Sequence, residues 1–124
     1  MDGGVITGAN YSAIYNEGTL DAYAVNFVGN ENKYRGDSSM THKWTYPAGS
    51  GGGAIRSGSL TKNPKCNLSA VYFTGNVSMG GGGAVLIGMM NTECYAGTAN
   101  INYCEFKNNK QIGESTSTSG YYSP

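Results

Sequence analysis

The sequence predicts an all-β solenoid in which about three similar coils stack on one another. A pattern of the form G-A-I/V-x-x-G followed by V/C-x-F-x-x-N occurs three times in the 124 residues, and repeats with a period of about 20–50 residues are typical of stacked units. Glycine contributes 20 residues and charged residues only 13% of the chain, which suits short strands joined by tight turns. No apolar stripe with a helical period is present, so we expect almost no helix.

The two halves of the pattern recur in the same order along the chain. The first half lies at 12–20, 52–60 and 82–88, and the second half lies at 25–30, 71–76 and 104–109. The first copy carries one extra residue before Gly18. We interpret each copy as one coil that cannot bury its apolar face without a neighbour.

Stacking these coils predicts columns of like residues inside the solenoid. Apolar residues two positions apart point to the same side of a strand. The expected interior columns are Phe27 with Phe73 and Phe106, Val25 with Val71 and Cys104, and Ile14 with Ile55 and Val85.

Asparagine and glycine are expected at the corners between strands. Asn30, Asn76 and Asn109 would line up, because Asn tolerates the left-handed backbone region and stacked amides can hydrogen-bond along a column. A second corner is predicted at Gly18, Gly58 and Gly88, where a positive φ or a close approach of backbones favours glycine.

We divide the chain into a single solenoid segment over 1–124, with a loop insertion at 31–50 and a polar tail at 112–124. The insertion fits no strand pattern and holds the only Trp and the only His. Shorter insertions are expected at 61–67 and 89–98. Such loops on a rigid scaffold commonly carry function.

The motifs Gly52-Gly53-Ala54-Ile55 and Gly82-Gly83-Ala84-Val85, with Phe-x-x-Asn segments that end at Asn30, Asn76 and Asn109, resemble the repeat of polymorphic outer-membrane proteins and related adhesin-like proteins. This resemblance implies a right-handed parallel β-helix, often a surface-exposed or autotransporter passenger region. The chain departs from the family pattern at Ser12, where the leading Gly is missing, and over 89–100. The expected fold is therefore a right-handed parallel β-helix (solenoid) of about three coils with loop insertions.

We expect a non-catalytic extracellular or cell-surface module of adhesin-like type, with a binding or structural role. The formal net charge is zero, so the electrostatic footprint of a nucleic-acid binder is missing. The sequence lacks an apolar run long enough for a membrane span. A polysaccharide-processing enzyme fragment is the less favoured alternative, since Glu17 and Asp21 form its single candidate acidic pair.

The expected partner is a protein or glycan surface that the loops at 31–50 and 89–98 contact. Within the first loop, Arg35-Gly36-Asp37 matches the integrin-recognition tripeptide, and an ordinary polar turn is the alternative interpretation. A second hypothesis is a small structural subunit of a larger assembly. Both ends of a three-coil stack would expose strand edges to neighbouring coils or subunits, and ten Tyr residues suit an interface.

The three cysteines leave their pairing open. Cys104 falls in the column of Val25 and Val71, where it would act as a small buried hydrophobe. Cys66 and Cys94 follow the glycine-rich strand in consecutive coils, so stacking could bring them within disulfide reach. Insertions of different length need not superpose, and both a disulfide and free thiols fit the sequence. With no C-x-x-C pair, we expect no metal and no cofactor.

Overall fold

The computed structural model describes residues 1–33, 51–89 and 93–112, and within these ranges it contains thirteen β-strands and no helix. The strands are β1 (Val5–Thr7), β2 (Ile14–Asn16), β3 (Thr19–Tyr23), β4 (Asn26–Val28), β5 (Glu31–Asn32), β6 (Ile55–Ser57), β7 (Lys65–Ser69), β8 (Tyr72–Thr74), β9 (Val77–Ser78), β10 (Val85–Ile87), β11 (Thr98–Asn102), β12 (Glu105–Lys107) and β13 (Lys110–Gln111). The prediction of an all-β chain is confirmed for these residues.

The strands form four parallel sheets, through which the chain passes in the same order three times. We call β2–β5 repeat A, β6–β9 repeat B and β10–β13 repeat C. Sheet 1 is β2-β6-β10, sheet 2 is β3-β7-β11, sheet 3 is β1-β4-β8-β12, and sheet 4 is β5-β9-β13. In every sheet the strand of repeat B lies between those of repeats A and C, so repeat B is covered on both sides.

The aromatic column that the sequence predicts is present in sheet 3. Phe27 lies opposite Phe73, and Phe73 lies opposite Phe106, in the registers of β4, β8 and β12. The rings stack with centroids 5.1 and 4.8 Å apart and nearly parallel planes. Phe27 and Phe73 are fully buried, because inward and outward residues alternate along each short strand.

The aliphatic columns are also in register. Ile14 lies opposite Ile55, and Ile55 lies opposite Val85, in sheet 1. Val25 and Val71 are fully buried just before β4 and β8. Cys104, their counterpart in repeat C, packs against the core but is only partly buried.

A column of amides, fully buried in repeats A and B and partly buried in repeat C, joins the three repeats at the end of sheet 3. The Asn30 side chain donates to Oδ1 of Asn76 at 3.1 Å, and the Asn76 side chain donates to Oδ1 of Asn109 at 2.9 Å. The backbone N–H groups of Asn30 and Asn76 donate to the same two oxygens. The predicted alignment of these three residues is confirmed.

The left-handed conformation at this corner falls one residue earlier than the sequence suggested. Gly29, Gly75 and Asn108 have φ values of 63°, 65° and 56°. This backbone turn lets Phe and Asn of the Phe-x-x-Asn motif both point inward.

The second glycine of each Gly-Gly-Ala motif is required by close packing between repeats. A Cβ added at Gly53 would collide with the carbonyl oxygen of Gly83 and lie 2.7 Å from that of Val77. The predicted glycine column is only partly present. Gly58 stacks directly beneath Gly88. The Gly88 N–H donates to the carbonyl of Ser57, and the Gly58 N–H donates to the carbonyl of Asn16, which is the counterpart of Ser57 in repeat A. Because Gly18 lies two residues after Asn16 instead of one, the extra residue displaces it from the column.

Residues 1–11 cover much of repeat A, contrary to the expectation that both ends are open. Strand β1 pairs with β4, placing Ile6 opposite Phe27. The backbone of Met1 accepts a hydrogen bond from Tyr23 at 2.9 Å, and that of Ala9 accepts one from Glu31 at 2.8 Å. The edges of β3, β4 and β5 are thus paired by an irregular polar segment that carries no repeat motif.

Repeat C exposes residues whose counterparts are buried in repeat B. Phe106 is 49% exposed whereas Phe73 is 0% exposed. Ile101 is 42% exposed whereas Leu68, opposite it in sheet 2, is 1% exposed. No described strand pairs with the outer edge of repeat C, so among the described residues this is the open end.

The boundaries of the insertions differ from the expectation. Glu31–Asn32 forms β5 rather than the start of a loop, because its backbone pairs with Val77–Ser78 in sheet 4. Lys65–Ser69 forms β7, so the second insertion ends before Lys65. The rest of the predicted loop, 34–50, and the predicted tail beyond Ile112 lie outside the described residues.

Truncation of the aromatic column should have unequal effects along the stack. We expect Phe73→Ala to lower the free energy of unfolding by about 3–5 kcal/mol, because it leaves a cavity between two rings. Phe106→Ala should cost roughly 1–2 kcal/mol, since half of that side chain is already exposed. Urea denaturation of both variants measures the difference, and equal losses would contradict the assignment of repeat C as the open end.

Candidate functional site

The candidate partner-binding tripeptide belongs to the segment 34–50, which is not among the described residues. Arg35, Gly36 and Asp37 lie outside the described residues. The match to the integrin-recognition tripeptide therefore stays a prediction from the sequence.

The structure does not join Cys66 and Cys94, and all three cysteines are free thiols. Cys66 lies in β7 with Ala99 opposite it in repeat C. Cys94 precedes Tyr95, whose backbone exchanges two hydrogen bonds with Ser59 at 2.7 and 3.0 Å. The two insertions therefore do not superpose: one thiol points into the core and the other lies beside Gly88.

Burial, and to a lesser extent the nearby Cys104, raise the pKa of the Cys66 thiol from 9.0 to about 11. The side chain is fully buried between Leu20 and Ala99. A thiol held in its protonated form is a poor nucleophile. Cys66 therefore contributes packing rather than reactivity.

The two carboxylates of the candidate acidic pair have different partners. Oε1 of Glu17 accepts a hydrogen bond from the hydroxyl of Tyr15 at 2.7 Å. Oδ1 of Asp21 accepts one from the side chain of Asn67 at 2.8 Å. The first belongs to the surface of sheet 1 and the second to the surface of sheet 2.

The most ordered polar surface lies on the outer side of sheet 2, which we call the polar face. It comprises two in-register rows, Asp21, Asn67 and Asn100, and Tyr23, Ser69 and Asn102. In the first row Asn100 donates to Oδ1 of Asn67 at 2.9 Å, and Asn67 donates to Asp21. No hydrogen bond among the described residues uses Oδ1 of Asn100 or Oδ2 of Asp21, so both acceptors face solvent.

A groove of about 370 Å³ runs over the polar face. It is lined by both rows and by Met1, Asp2, Ala22 and Leu68. The nitrogen of Met1 donates to the carbonyl oxygen of Asp21 at 2.6 Å, so the N-terminal segment closes one end of the groove. The ring of Tyr23 is 57% exposed, although its backbone is fixed by Met1 and Gly3.

The polar face was not predicted from the sequence, although its first row has a positional signal. Asp21 and Asn67 are 46 residues apart, and Asn67 and Asn100 are 33 apart. Phe27, Phe73 and Phe106 have the same two separations, so the first row lies six residues before the aromatic column in every repeat. The change from Asp to Asn hides this row from a search for identical residues.

A second cluster lies on the outer side of sheet 1. Arg56 sits over the ring of Tyr15, with its guanidinium carbon 4.0 Å from the ring centroid. Partial burial, and then the hydrogen bond to Glu17, raise the pKa of Tyr15. Cation–π contacts at exposed sites contribute about 0.5–1 kcal/mol, so this cluster stabilises the contact between repeats A and B.

Within the described ranges, no group of three His, Cys, Asp or Glu side chains lies close enough together to hold a metal ion. The same ranges contain no helix that is long and apolar enough to span a bilayer.

Comparison with known proteins returned no match to any protein-family model, curated protein or solved structure.

The buried thiol makes the stability depend on alkaline pH. Because the folded pKa of Cys66 lies above its unfolded value, the stabilisation is present below pH 9.0 and is lost as the pH rises towards about 11. We expect the free energy of unfolding to fall more steeply between these values in the native chain than in Cys66→Ala. Urea titrations at each pH measure both slopes, with Cys104→Ala as the control, and parallel slopes for native and Cys66→Ala chains would refute the assignment.

Proposed function

We propose that the chain is a non-catalytic, adhesin-like binding module at the cell surface or outside the cell, with the polar face as its contact surface. The observation that carries this proposal is the in-register ladder of Asp21, Asn67 and Asn100. Its side chains point away from the core and leave two acceptors unused. A contact surface on strands is positioned more rigidly than one on loops.

We further propose that the four parallel sheets are the walls of a right-handed parallel β-helix. The repeated order of strands through sheets 1 to 4 supports this architecture. A parallel connection within one sheet is right-handed in nearly all cases. The resemblance of the Gly-Gly-Ala-Ile and Phe-x-x-Asn motifs to polymorphic outer-membrane proteins points to the same fold and to a surface location.

A second candidate function, a structural subunit of a larger assembly, is favoured by the open end of repeat C. There the backbone edges of β10 to β13 and the half-exposed ring of Phe106 face outward. Exposed strand edges and apolar columns are the features that a neighbouring coil would cover.

The amide column specifies what such a neighbour should carry. Asn109 donates its side-chain N–H to the carbonyl of Phe73 at 2.9 Å, as Asn76 does to Phe27 at 3.0 Å. The backbone N–H of Asn30 also donates to Oδ1 of Asn76, and the backbone N–H of Asn76 donates to Oδ1 of Asn109. No described residue fills that role for Asn109, so a partner with a Phe-x-x-Asn segment in register would complete the column.

The binding function predicts that the polar face can be disabled without unfolding the chain. We expect the double variant Asn67→Ala, Asn100→Ala to reduce attachment of the purified full chain to intact cells and immobilised extracellular matrix by about 10-fold, since two side-chain hydrogen bonds are lost. Flow cytometry and surface plasmon resonance measure the attachment.

Asn26→Ala is the matched control, because Asn26 is an exposed asparagine on the outer side of sheet 3. It should attach as the native chain does, and circular dichroism should be the same for all three proteins. Equal attachment by the double variant would refute the polar face as the contact surface. Protection of the protein from protease added to intact source cells would refute the surface location.

The assembly function predicts that the open end accepts another repeat. We expect insertion of a second copy of 80–112 between Ile112 and Gly113 to raise the free energy of unfolding by ~2 kcal/mol or more, because the copy buries the Phe106 ring and extends the amide column. The control insertion carries Ser at the two copied positions that correspond to Phe106 and Asn109. No gain over that control in urea denaturation would contradict this candidate.

A further inference from the structure

We infer that the groove on the polar face binds a neutral oligosaccharide lying along the column direction of the repeats. This inference deepens the proposed function, because it names the ligand class of the same surface. Three observations carry it: the chemistry of the ladder, the charge of the groove, and the position of Tyr23.

The ladder offers the groups that vicinal sugar hydroxyls need. A hydroxyl both donates and accepts, whereas a carboxamide presents a donor and an acceptor at a fixed separation. Asn67 is held by hydrogen bonds to both neighbours, so its amide plane is fixed before any ligand arrives. The unused acceptors Oδ2 of Asp21 and Oδ1 of Asn100 lie at the two ends of this row. A ligand that donates hydroxyl protons to both would have to span all three repeats.

The groove lining carries more negative than positive charge, which favours a neutral ligand over an anionic one. Its lining, as far as the structure describes it, contains the carboxylates of Asp2 and Asp21 and the amino group of Met1. The nearest Lys on the same face, Lys65, is in the next row of β7 and outside the lining. A sulfated sugar or a uronic acid would meet these two carboxylates with a single cation in the lining, the amino group of Met1, which already donates to the Asp21 carbonyl. Opposite charges are what phosphate, sulfate and carboxylate ligands ordinarily require.

Tyr23 supplies an aromatic surface at the end of the second row. Its ring is 57% exposed, and its backbone is held by hydrogen bonds to Met1 and Gly3. An aromatic ring beside polar groups suits a sugar, because a pyranose has an apolar face of C–H bonds and a rim of hydroxyls. The ring and the ladder therefore contact different parts of one ligand.

A peptide fits this surface less well. Peptides that bind sheets usually add to an unpaired strand edge through their backbone. The backbone of β7, in the centre of the polar face, is already paired on both sides by β3 and β11, so a peptide strand could add only at the outer edge of β11 and would not lie along the ladder. The groove volume of about 370 Å³ lies in the lower part of the range of about 300–1,000 Å³ for small-molecule sites.

The test uses the isotope-labelled full chain and neutral oligosaccharides of two to six glucose, mannose, galactose or N-acetylglucosamine units. We expect at least one series to shift the side-chain amide signals of Asn67 and Asn100 in NMR titrations, with affinity rising with ligand length. The matching sulfated and uronic-acid oligosaccharides should bind more weakly. Tighter binding of the anionic series, or shifts confined to other sheets, would overturn the inference.

Variants separate ring stacking from hydrogen bonding. Tyr23→Ala should raise the Kd by about 5–10-fold, whereas Tyr23→Phe should stay within about 2-fold, because the ring surface is kept. Tyr72→Ala is the matched control, since Tyr72 is an exposed tyrosine on the outer side of sheet 3. Equal Kd values for Tyr23→Ala and Tyr72→Ala would refute the role of Tyr23.

Failure of this inference can be told apart from failure of the proposed function. If the ladder double variant loses attachment to cells but no neutral oligosaccharide binds the native chain, the glycan assignment is wrong and the contact surface is retained. If attachment is unchanged in that variant and no oligosaccharide shifts the ladder signals, both are wrong.

Discussion

In-register parallel stacking is the constraint on which the rest of this structure depends, because it places each inward side chain against its counterpart in the next repeat. Parallel strands lie about 4.8 Å apart, so an inward side chain must pack against, or hydrogen-bond to, the equivalent side chain of the next repeat. Flat rings meet this requirement by stacking, as Phe73 does with both of its neighbours. Carboxamides meet it by donating along the column, as Asn76 does to Asn109. An ionised side chain in either column would be buried against a like charge, which is strongly unfavourable.

The same register fixes the corners and, through them, the outer surface. Ala24, Ala70 and Tyr103 occupy equivalent positions after β3, β7 and β11 with φ between 52° and 55°. Such a conformation is strained for a residue with a Cβ, and it persists only where the surrounding structure enforces it. Here the strands on both sides of each corner are held by their ladders. Tyr23 immediately precedes one of these corners. Its exposed side chain is therefore attached to a backbone that is held by the strand pairing of β3 on one side and by the corner at Ala24 on the other.

The buried part of the fold could be predicted from the sequence, because burial limits each inward position to few residue types. The Phe column and the Asn column are recognisable for this reason. Outward and edge positions carry no such signal: the ladder changes from Asp21 to Asn67, and the two-residue strand Glu31–Asn32 is too short and polar to show alternation. The N-terminal cover and the separation of Cys94 from Cys66 depend on tertiary hydrogen bonds that no local pattern encodes.

Inner and outer amides differ sharply in what their removal would cost the fold. The Asn76 side chain is fully buried and donates to the Phe27 carbonyl and to Asn109, so its loss would leave buried polar groups unsatisfied at about 1–3 kcal/mol each. Asn67 forms similar hydrogen bonds on the polar face, but water can replace them there. The core thus sets the spacing of the ladder without needing its side chains. The polar face therefore consists of residues that the fold positions but does not require, and this separation is the physical basis of the contact surface that we propose.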